Sequence, residues 1–437
     1  MTQNRRSFIT ASAVASATLP LFNIGVAGAS PNNKLNVALI GVGGRGKANT
    51  AGVKHENIVA LCDVDANALA EASQQFPKAK TYTDWRKCLE QKDIDAVVCS
   101  TTDHTHAFVA IWAMNRGMHV YCEKPLANSV EEARLVRETY LKNKGKLATQ
   151  MGTQIHATEN YRRVVELIRN GAIGSVKDCK VWVHRARKAE NHYPAVTPVP
   201  QHIDWDLWIG PSPFHPYNPK YLKSCVSWNR FWDFGNSQLG DMASHLIDLP
   251  YWALDLRFPT SCEATGEPAA VSPDACPEKI TATWEHPAAG DRRAVKVSWY
   301  DGGYMPGLPS KIFDRANLAN MGVLFAGDKG WLLADYSTRV LVMKGDMTHF
   351  NAPTAAELIP PSPGQHQEWI NACKTGSPTL CNFDYSGALI EHNLLGHVAF
   401  RAGKKIEWDA RNLRATNCPE ADQFIRKTYR KGWVLNG

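Results

Sequence analysis

The 437-residue chain is longer than one hydrophobic core usually sustains, so two domains are expected. Its 44% hydrophobic and 21% charged residues describe an ordinary globular protein. The formal charge of +7 is small for this length and no long Lys/Arg block occurs, which argues against a nucleic-acid-binding arm.

Residues 1–30 stand apart. The stretch "NRRSFITASAVASATLPLFNIGVAGAS" is a paired arginine, a moderately apolar run rich in Ala and Ser, and then small residues, with Ala27, Gly28 and Ala29 before Ser30. That pattern predicts a cleaved export signal of the twin-arginine type, whose machinery carries folded proteins to the periplasm. No later stretch is long enough for a transmembrane helix, so no membrane segment is expected after cleavage. The eleven cysteines are scattered, with Cys62, Cys99 and Cys122 in apolar strand-like runs, and no CxxC or Cys/His metal spacing occurs. Neither a structural metal nor a disulfide framework is predicted, although Cys373 and Cys381 are close enough in sequence to leave one pairing open.

From Lys34, "KLNVALIGVGGRGKANTAGV" runs from an apolar, β-rich segment through Gly41, Gly43 and Gly46 in GxGxxG spacing into a helix-compatible segment. The first two glycines permit a tight turn and close approach of backbone to a pyrophosphate; the third lets helix pack on strand. The loop around them, including Gly44 and Arg45, is the candidate phosphate cradle. A second strand, "NIVALCDVD", ends on Asp63, placed to accept from an adenosine ribose and to repel a 2′-phosphate, which favours NAD over NADP. Strands "DAVVCS", "HVYCE" and "ATQMG" then alternate with helical patterns, which predicts a doubly wound parallel sheet over residues 31–153. Ligands of such sheets sit at the carboxyl ends of the strands. "TTDHTH", "CEKP" and "GTQIH" all fall there, giving Thr101, Thr102, His104, His106, Glu123, Lys124 and Gln154 as candidate cofactor contacts. Thr102, His104 and His106 read equally well as helix-capping residues. Lys124, directly after a buried strand, is the candidate for chemistry, and Pro125 turns the chain.

Residues 154–437 change character. The runs "SVKDCKVWVHRAR", "KITATWEH", "AVKVSWY" and "GVLFAG" are longer and alternate, which predicts an open, mostly antiparallel sheet with one covered face. An aromatic connection at about 190–235 holds "NHYP", "DWDLW" and "WNRFWDFG", so His192 and Trp232, together with Tyr304 further on, are candidate substrate contacts, with core packing the alternative. In "GDMASHLID", Asp241 and His245 are four apart and share a helical face, where the carboxylate would orient the imidazole and hold its pKa near neutrality. Asp248 reads as structural.

"GVGGRG", "CDVD", "TTDHTHA" and "CEKPLANSVEEA", with "WDFGNSQLGDMASHLIDLPYWAL" in the second half, identify a resemblance to the Gfo/Idh/MocA oxidoreductases over essentially the whole chain after residue 30. The resemblance implies bound NAD, a small carbohydrate substrate, and Lys124 beside the nicotinamide with a cis bond before Pro125. It also implies Asp241 and His245 as the family's Asp-x-x-x-His pair, and a homodimer or homotetramer formed through the open sheet. Among exported members the chain resembles NAD-dependent glycosidases. That branch implies a tightly bound, recycled NAD and a redox-neutral cleavage needing a second acid/base, for which His156, His192 and Tyr193 are candidates. A sugar or polyol dehydrogenase, a glucose-fructose-type oxidoreductase and a non-catalytic NAD-bound scaffold are the alternatives.

Overall fold

The computed structural model describes residues 34–267, 273–309, 312, 320–345 and 350–436. The export signal read at residues 1–30 lies outside them.

The first half folds as the alternation dictates. Strands β1 (Asn36–Ile40), β2 (Asn57–Cys62), β3 (Lys80–Tyr82), β4 (Ala96–Cys99), β5 (His119–Cys122) and β6 (Thr149–Met151) form one sheet in the order β3-β2-β1-β4-β5-β6, every pairing parallel. All four residues of β4 are buried, as a central strand covered on both faces requires. The crossovers run through α1 (Arg45–Val53), α2 (Ala66–Gln75), the short α3 (Trp85–Cys88), α4 (Asp103–Asn115) and α5 (Val130–Lys142). Short polar side chains start several of them: Asp65 accepts from Asn67 N, Asp84 from Arg86 N and Ser129 from Glu132 N. The strand order reverses between β1 and β4, so a crevice opens at their carboxyl ends.

After α6 (Glu159–Arg169), a nine-stranded sheet is built from β7 (Val176–Val183), β8 (Ser261–Glu267), β9 (Lys279–His286), β10 (Val295–Asp301), β11 (Met321–Gly327), β12 (Gly330–Ala334), β13 (Arg339–Met343), β14 (Ile406–Asp409) and β15 (Arg414–Ala415). Only β7 and β10 pair in parallel. In β9 the alternation decides which face is inside: Ile280, Ala282, Trp284 and His286 are buried, while the residues between them are more exposed. "GDMASHLID" forms three short helices in succession, Ser237–Asp241, Ala243–Leu246 and Asp248–Ala253.

Two later helices bind the halves together. Phe383–Ala402 lies along α5, where buried Arg134 donates to both carboxylate oxygens of Glu391 at 2.8 and 2.7 Å. Gln365–Thr375 lies on the first sheet, with Trp369 packed among Val37, Leu39 and Tyr121 and the His366 ring stacked on Tyr121 at 4.8 Å. Residues from the second half thus complete the core of the first sheet. All eleven cysteines are unpaired. Among the described residues no helix is long and apolar enough to cross a membrane.

Candidate active site

The glycine loop does what its spacing requires. Gly41 has φ 82°, and a Cβ there would fall 2.6 Å from Ser100 O. A Cβ on Gly46 would fall 2.0 Å from Gly41 O, so the third glycine lets α1 close onto the turn. Gly44, with φ 46°, opens α1 and has no atom within 4 Å of where its Cβ would stand. Asp63 Oδ2 accepts from Val42 N and Gly43 N at 2.8 and 3.2 Å, and Oδ1 accepts from Asp65 N at 3.0 Å. Burial pushes this carboxyl up, against those three N–H groups. A groove of about 410 Å³ follows, lined by Gly43, Arg45, Asp63 and Thr101 together with Trp208 and Trp228. A dinucleotide fits these residues: the loop offers backbone unobstructed by side chains, the helix start favours an anion, and Asp63 lines the same groove.

At the end of β5, Glu123 accepts from Arg45 Nε at 2.9 Å and Asn49 Nδ2 at 3.0 Å, which fastens α1 to the Glu-Lys-Pro turn. Gly152 leaves room for it, since a Cβ there would lie 2.8 Å from the Glu123 carboxyl. The Lys124–Pro125 peptide is cis. The ammonium of Lys124 is ion-paired with Asp241 Oδ1, and Arg187, just beyond β7, pairs with Asp241 Oδ2. Burial works against the charged lysine, but Asp241 outweighs it and holds its pKa above the usual value. Burial likewise opposes ionised Asp241, and Lys124 and Arg187 together keep it far below the carboxylate range. Asp103, at the start of α4, feels the same charges; burial pushes it up to about 7, and its Oδ2 is buried without a hydrogen-bond partner.

His245 completes the cluster, though not through Asp241 as the four-residue spacing predicts. Its Nδ1 meets Thr153 Oγ1 at 3.0 Å, and Thr153 also bonds Ser244 O at 3.2 Å, so a threonine from the β6 end sets the ring. Nor is its pKa near neutrality. Burial, then the charge of Lys124, pushes it down to about 3, and the opposing pull of Asp241 does not make up the difference. The site therefore holds a charged lysine, a neutral imidazole and a carboxylate locked between two cations.

The comparisons with known proteins agree with this architecture. Residues 35–151 match the Gfo/Idh/MocA family's "Oxidoreductase family, NAD-binding Rossmann fold", and residues 180–435 match its "Oxidoreductase family, C-terminal alpha/beta domain". The chain belongs to the Gfo/Idh/MocA oxidoreductase family. Its first half is an NAD-binding domain. Inositol 2-dehydrogenase of Salmonella typhimurium is 32% identical over 147 residues, which is 32% of this chain and 43% of that one. Levoglucosan dehydrogenase of Pseudarthrobacter phenanthrenivorans is 26% identical over 226 residues, 49% of this chain and 50% of the relative. A glycosyl hydrolase family 109 protein of Shewanella pealeana is 31% identical over 170 residues, 35% and 36% of the two chains. The chain thus spans half or less of the length of these relatives. Among solved structures, the Bordetella pertussis WlbA dehydrogenase in complex with NADH and UDP-GlcNAcA superposes with a TM-score of 0.62 at 16% identity, over 86% of this chain and 98% of that one. Levoglucosan dehydrogenase in complex with NADH and levoglucosan gives 0.58 at 17%, over 86% and 99%. At these identities the likeness establishes the fold.

Within this family architecture the remaining sequence candidates divide. Thr101 and Thr102 line the groove, Thr102 as the residue before α4, and Gln154 opens a 3-10 turn one residue after Thr153. His104 does not reach the groove: it is buried, with Nε2 at Trp208 O (3.0 Å) and Nδ1 at Phe234 O (3.4 Å), pinning α4 to the aromatic connection. Nor does His106, whose nitrogens meet Pro125 O (2.7 Å) and Thr101 O (3.1 Å) and so support the turn from behind. His156 is sealed in the core, stacked on Trp252 at 3.8 Å with Nδ1 against Asp248, which also accepts from Tyr385 Oη at 2.7 Å. Tyr193 Oη donates to Glu190 at 2.6 Å, and burial with this bond pushes its pKa up to about 12. Neither His156 nor Tyr193 is free for proton transfer. Trp232 faces a second cavity, its ring held by Arg401 at 5.0 Å and His397 at 4.9 Å, and Tyr304 is held by Glu267 at the end of β8 and Lys279 at the start of β9. His192 lies inside the aromatic connection against His215 and Phe231. Sequence reasoning missed Arg187, Thr153 and Asp103, and it named Trp232 where Trp208 and Trp228 line the groove. "VHRAR" leaving a buried strand was the available pointer to Arg187.

Proposed function

We propose that this chain oxidises a secondary hydroxyl of a carbohydrate held between the glycine-loop groove and the Lys124 cluster. The observation that carries the reading is the meeting of Lys124, Asp241, Arg187 and His245 at the carboxyl ends of β5 and β6. Bound NAD supplies the hydride acceptor. Lys124, kept charged by Asp241, stabilises the oxygen as it becomes an alkoxide, and His245, neutral across the physiological range, is available to take its proton. Asp241 holds the lysine in place and prevents the two cations from repelling each other.

A finer reading builds on the export signal. Outside the cytoplasm no NAD pool is replenished, so a hydride taken from the substrate must return to it within one cycle. We infer that the sugar is oxidised at C3, which acidifies its C2 proton; the aglycone is then eliminated, water adds, and C3 is reduced again. The resemblance to the family 109 protein supports this glycosidase reading. The second reading is a plain dehydrogenase. It is favoured by one observation: the expected second acid/base residues, His156 and Tyr193, are committed elsewhere.

Purified protein incubated with nitrophenyl glycosides, without added NAD, separates the two. Nitrophenol release from both anomers supports the redox-neutral cycle; no release, together with NADH formation on free sugars, supports the dehydrogenase. Neither product, from folded protein that contains NAD, would overturn the proposal.

A further inference from the structure

Behind the groove, the aromatic connection and the segment 422–429 enclose a second cavity of about 350 Å³, with His104, Trp232, Arg401 and Lys427 in its walls. His104 joins the two spaces, since its Nε2 meets the main-chain oxygen of Trp208, which lines the groove.

Two cations in this cavity lack a carboxylate partner among the described residues. Arg401, in the last turn of the helix Phe383–Ala402, lies over the Trp232 ring at 5.0 Å and the Phe424 ring at 4.3 Å. The rings fix the guanidinium plane and leave its edge, with five N–H donors, unbonded. Lys427 donates to Trp232 O at 2.7 Å and keeps two further donors. The carboxylates of the same lining are engaged elsewhere. Glu132 accepts from Asn128 N at 2.7 Å and Tyr429 Oη at 3.1 Å, Asp233 is bonded to His215 at 2.7 Å, and Asp422 pairs with Arg426.

Burial disfavours both charges and lowers both pKa values. Asp233 pulls against this for each cation, as Glu132 does for Lys427, but from beyond ion-pair distance, and the loss is not made up. Arg401 and Lys427 also repel each other. An arginine at a helix end is ordinarily just solvated, but that does not explain a second cation held in the same cavity. An anion between the two would relieve both burial and repulsion.

The lining limits what that anion is. Three carboxylates close by would repel a dianion, so a single negative charge matches best. The guanidinium fork suits a carboxylate, and Gln423 and Thr428 offer polar atoms to hydroxyl groups. The volume lies within the range of about 300–1,000 Å³ typical of small-molecule sites. We propose that this cavity binds a small hydroxylated organic acid, its carboxylate held between Arg401 and Lys427, apart from the catalytic cluster.

The test is titration calorimetry of the full, NAD-containing chain with D-gluconate, and with inorganic phosphate as the more highly charged anion. Gluconate is expected to bind more tightly than phosphate. Arg401→Gln should weaken gluconate binding at least about tenfold, through loss of charge-assisted hydrogen bonds. Lys124→Met should leave it in place, which separates this cavity from the catalytic site. If Arg401→Gln misfolds by circular dichroism, wild-type crystals soaked in gluconate decide, with density expected against the Arg401 guanidinium. No binding, phosphate preferred over gluconate, binding unchanged in folded Arg401→Gln or lost in Lys124→Met, or an empty cavity in soaked crystals would overturn the site.

Discussion

Two buried clusters use the same chemical parts and come to opposite ends. Near the groove, Asp241 is shared by Lys124 and Arg187, and His245 stands beside them on Thr153. In the core, Asp248 is shared by His156 and Tyr385 under the Trp252 ring. Both contain an aspartate and a histidine, and "DMASHLID" contributes to both. The first keeps charged partners at a wall where substrate can arrive; the second pairs its carboxylate internally behind aromatic rings. Spacing along a helix therefore did not decide which carboxylate serves which imidazole. The partners arriving from other elements did: Lys124 from β5, Arg187 from β7 and His156 from the turn after β6.

Breaking each cluster should separate activity from stability. Lys124→Met should lower kcat by about a hundredfold to ten-thousandfold while NAD stays bound, checked by steady-state rates and by nucleotide content after gel filtration. Asp248→Ala should do the reverse. It strands His156 Nδ1 in the core, leaves Tyr385 Oη only the main-chain oxygen of residue 248, and should cost about 2 kcal/mol in denaturant unfolding, with the folded fraction still turning over. A large kcat loss in folded Asp248→Ala protein would erase the distinction.

The pH response sharpens it. His245 has a folded pKa of about 3, below the ordinary histidine value, so between these two values the unfolded chain binds a proton that the folded chain refuses. Stability conferred by the neutral ring is intact above that window and falls as pH drops through it, by up to about 1.4 kcal/mol per pH unit. The stability of wild type relative to His245→Asn should therefore decline from about pH 6.5 downward, measured by chemical denaturation at several pH values. A pH-independent difference would mean that the ring is not held neutral. The smallest effect concerns the groove's hinge point. Glu123→Gln removes the charge that Arg45 pairs with and should weaken NAD binding about tenfold by calorimetry, with little change in kcat at saturation.

Much of the fold was legible because its cues are local. The glycine spacing, the acid ending β2, the fully apolar β4 and the alternation of β9 each follow from backbone geometry acting over a few residues. Lys124 was legible for the same reason, as a charge placed just beyond a buried strand. What was not legible depends on contacts between distant elements. His104 and His106 sit at a ligand-facing edge in sequence, yet the first turn of α4 directs them to backbone carbonyls behind the site. Trp232 was a reasonable sugar platform until Arg401, from the helix Phe383–Ala402, took its face. Arg187 and Thr153 carry no motif; only their arrival at Asp241 and His245 gives them a role.

The central claim is that Asp241 serves Lys124 rather than His245. The pH dependence of kcat/KM for Asp241→Asn tests it most directly. Without the carboxylate, burial and Arg187 are left to disfavour the charged lysine, so the alkaline limb should move to lower pH by more than any shift of the acid limb. An acid limb that moves while the alkaline limb stays would contradict the account and return Asp241 to the imidazole.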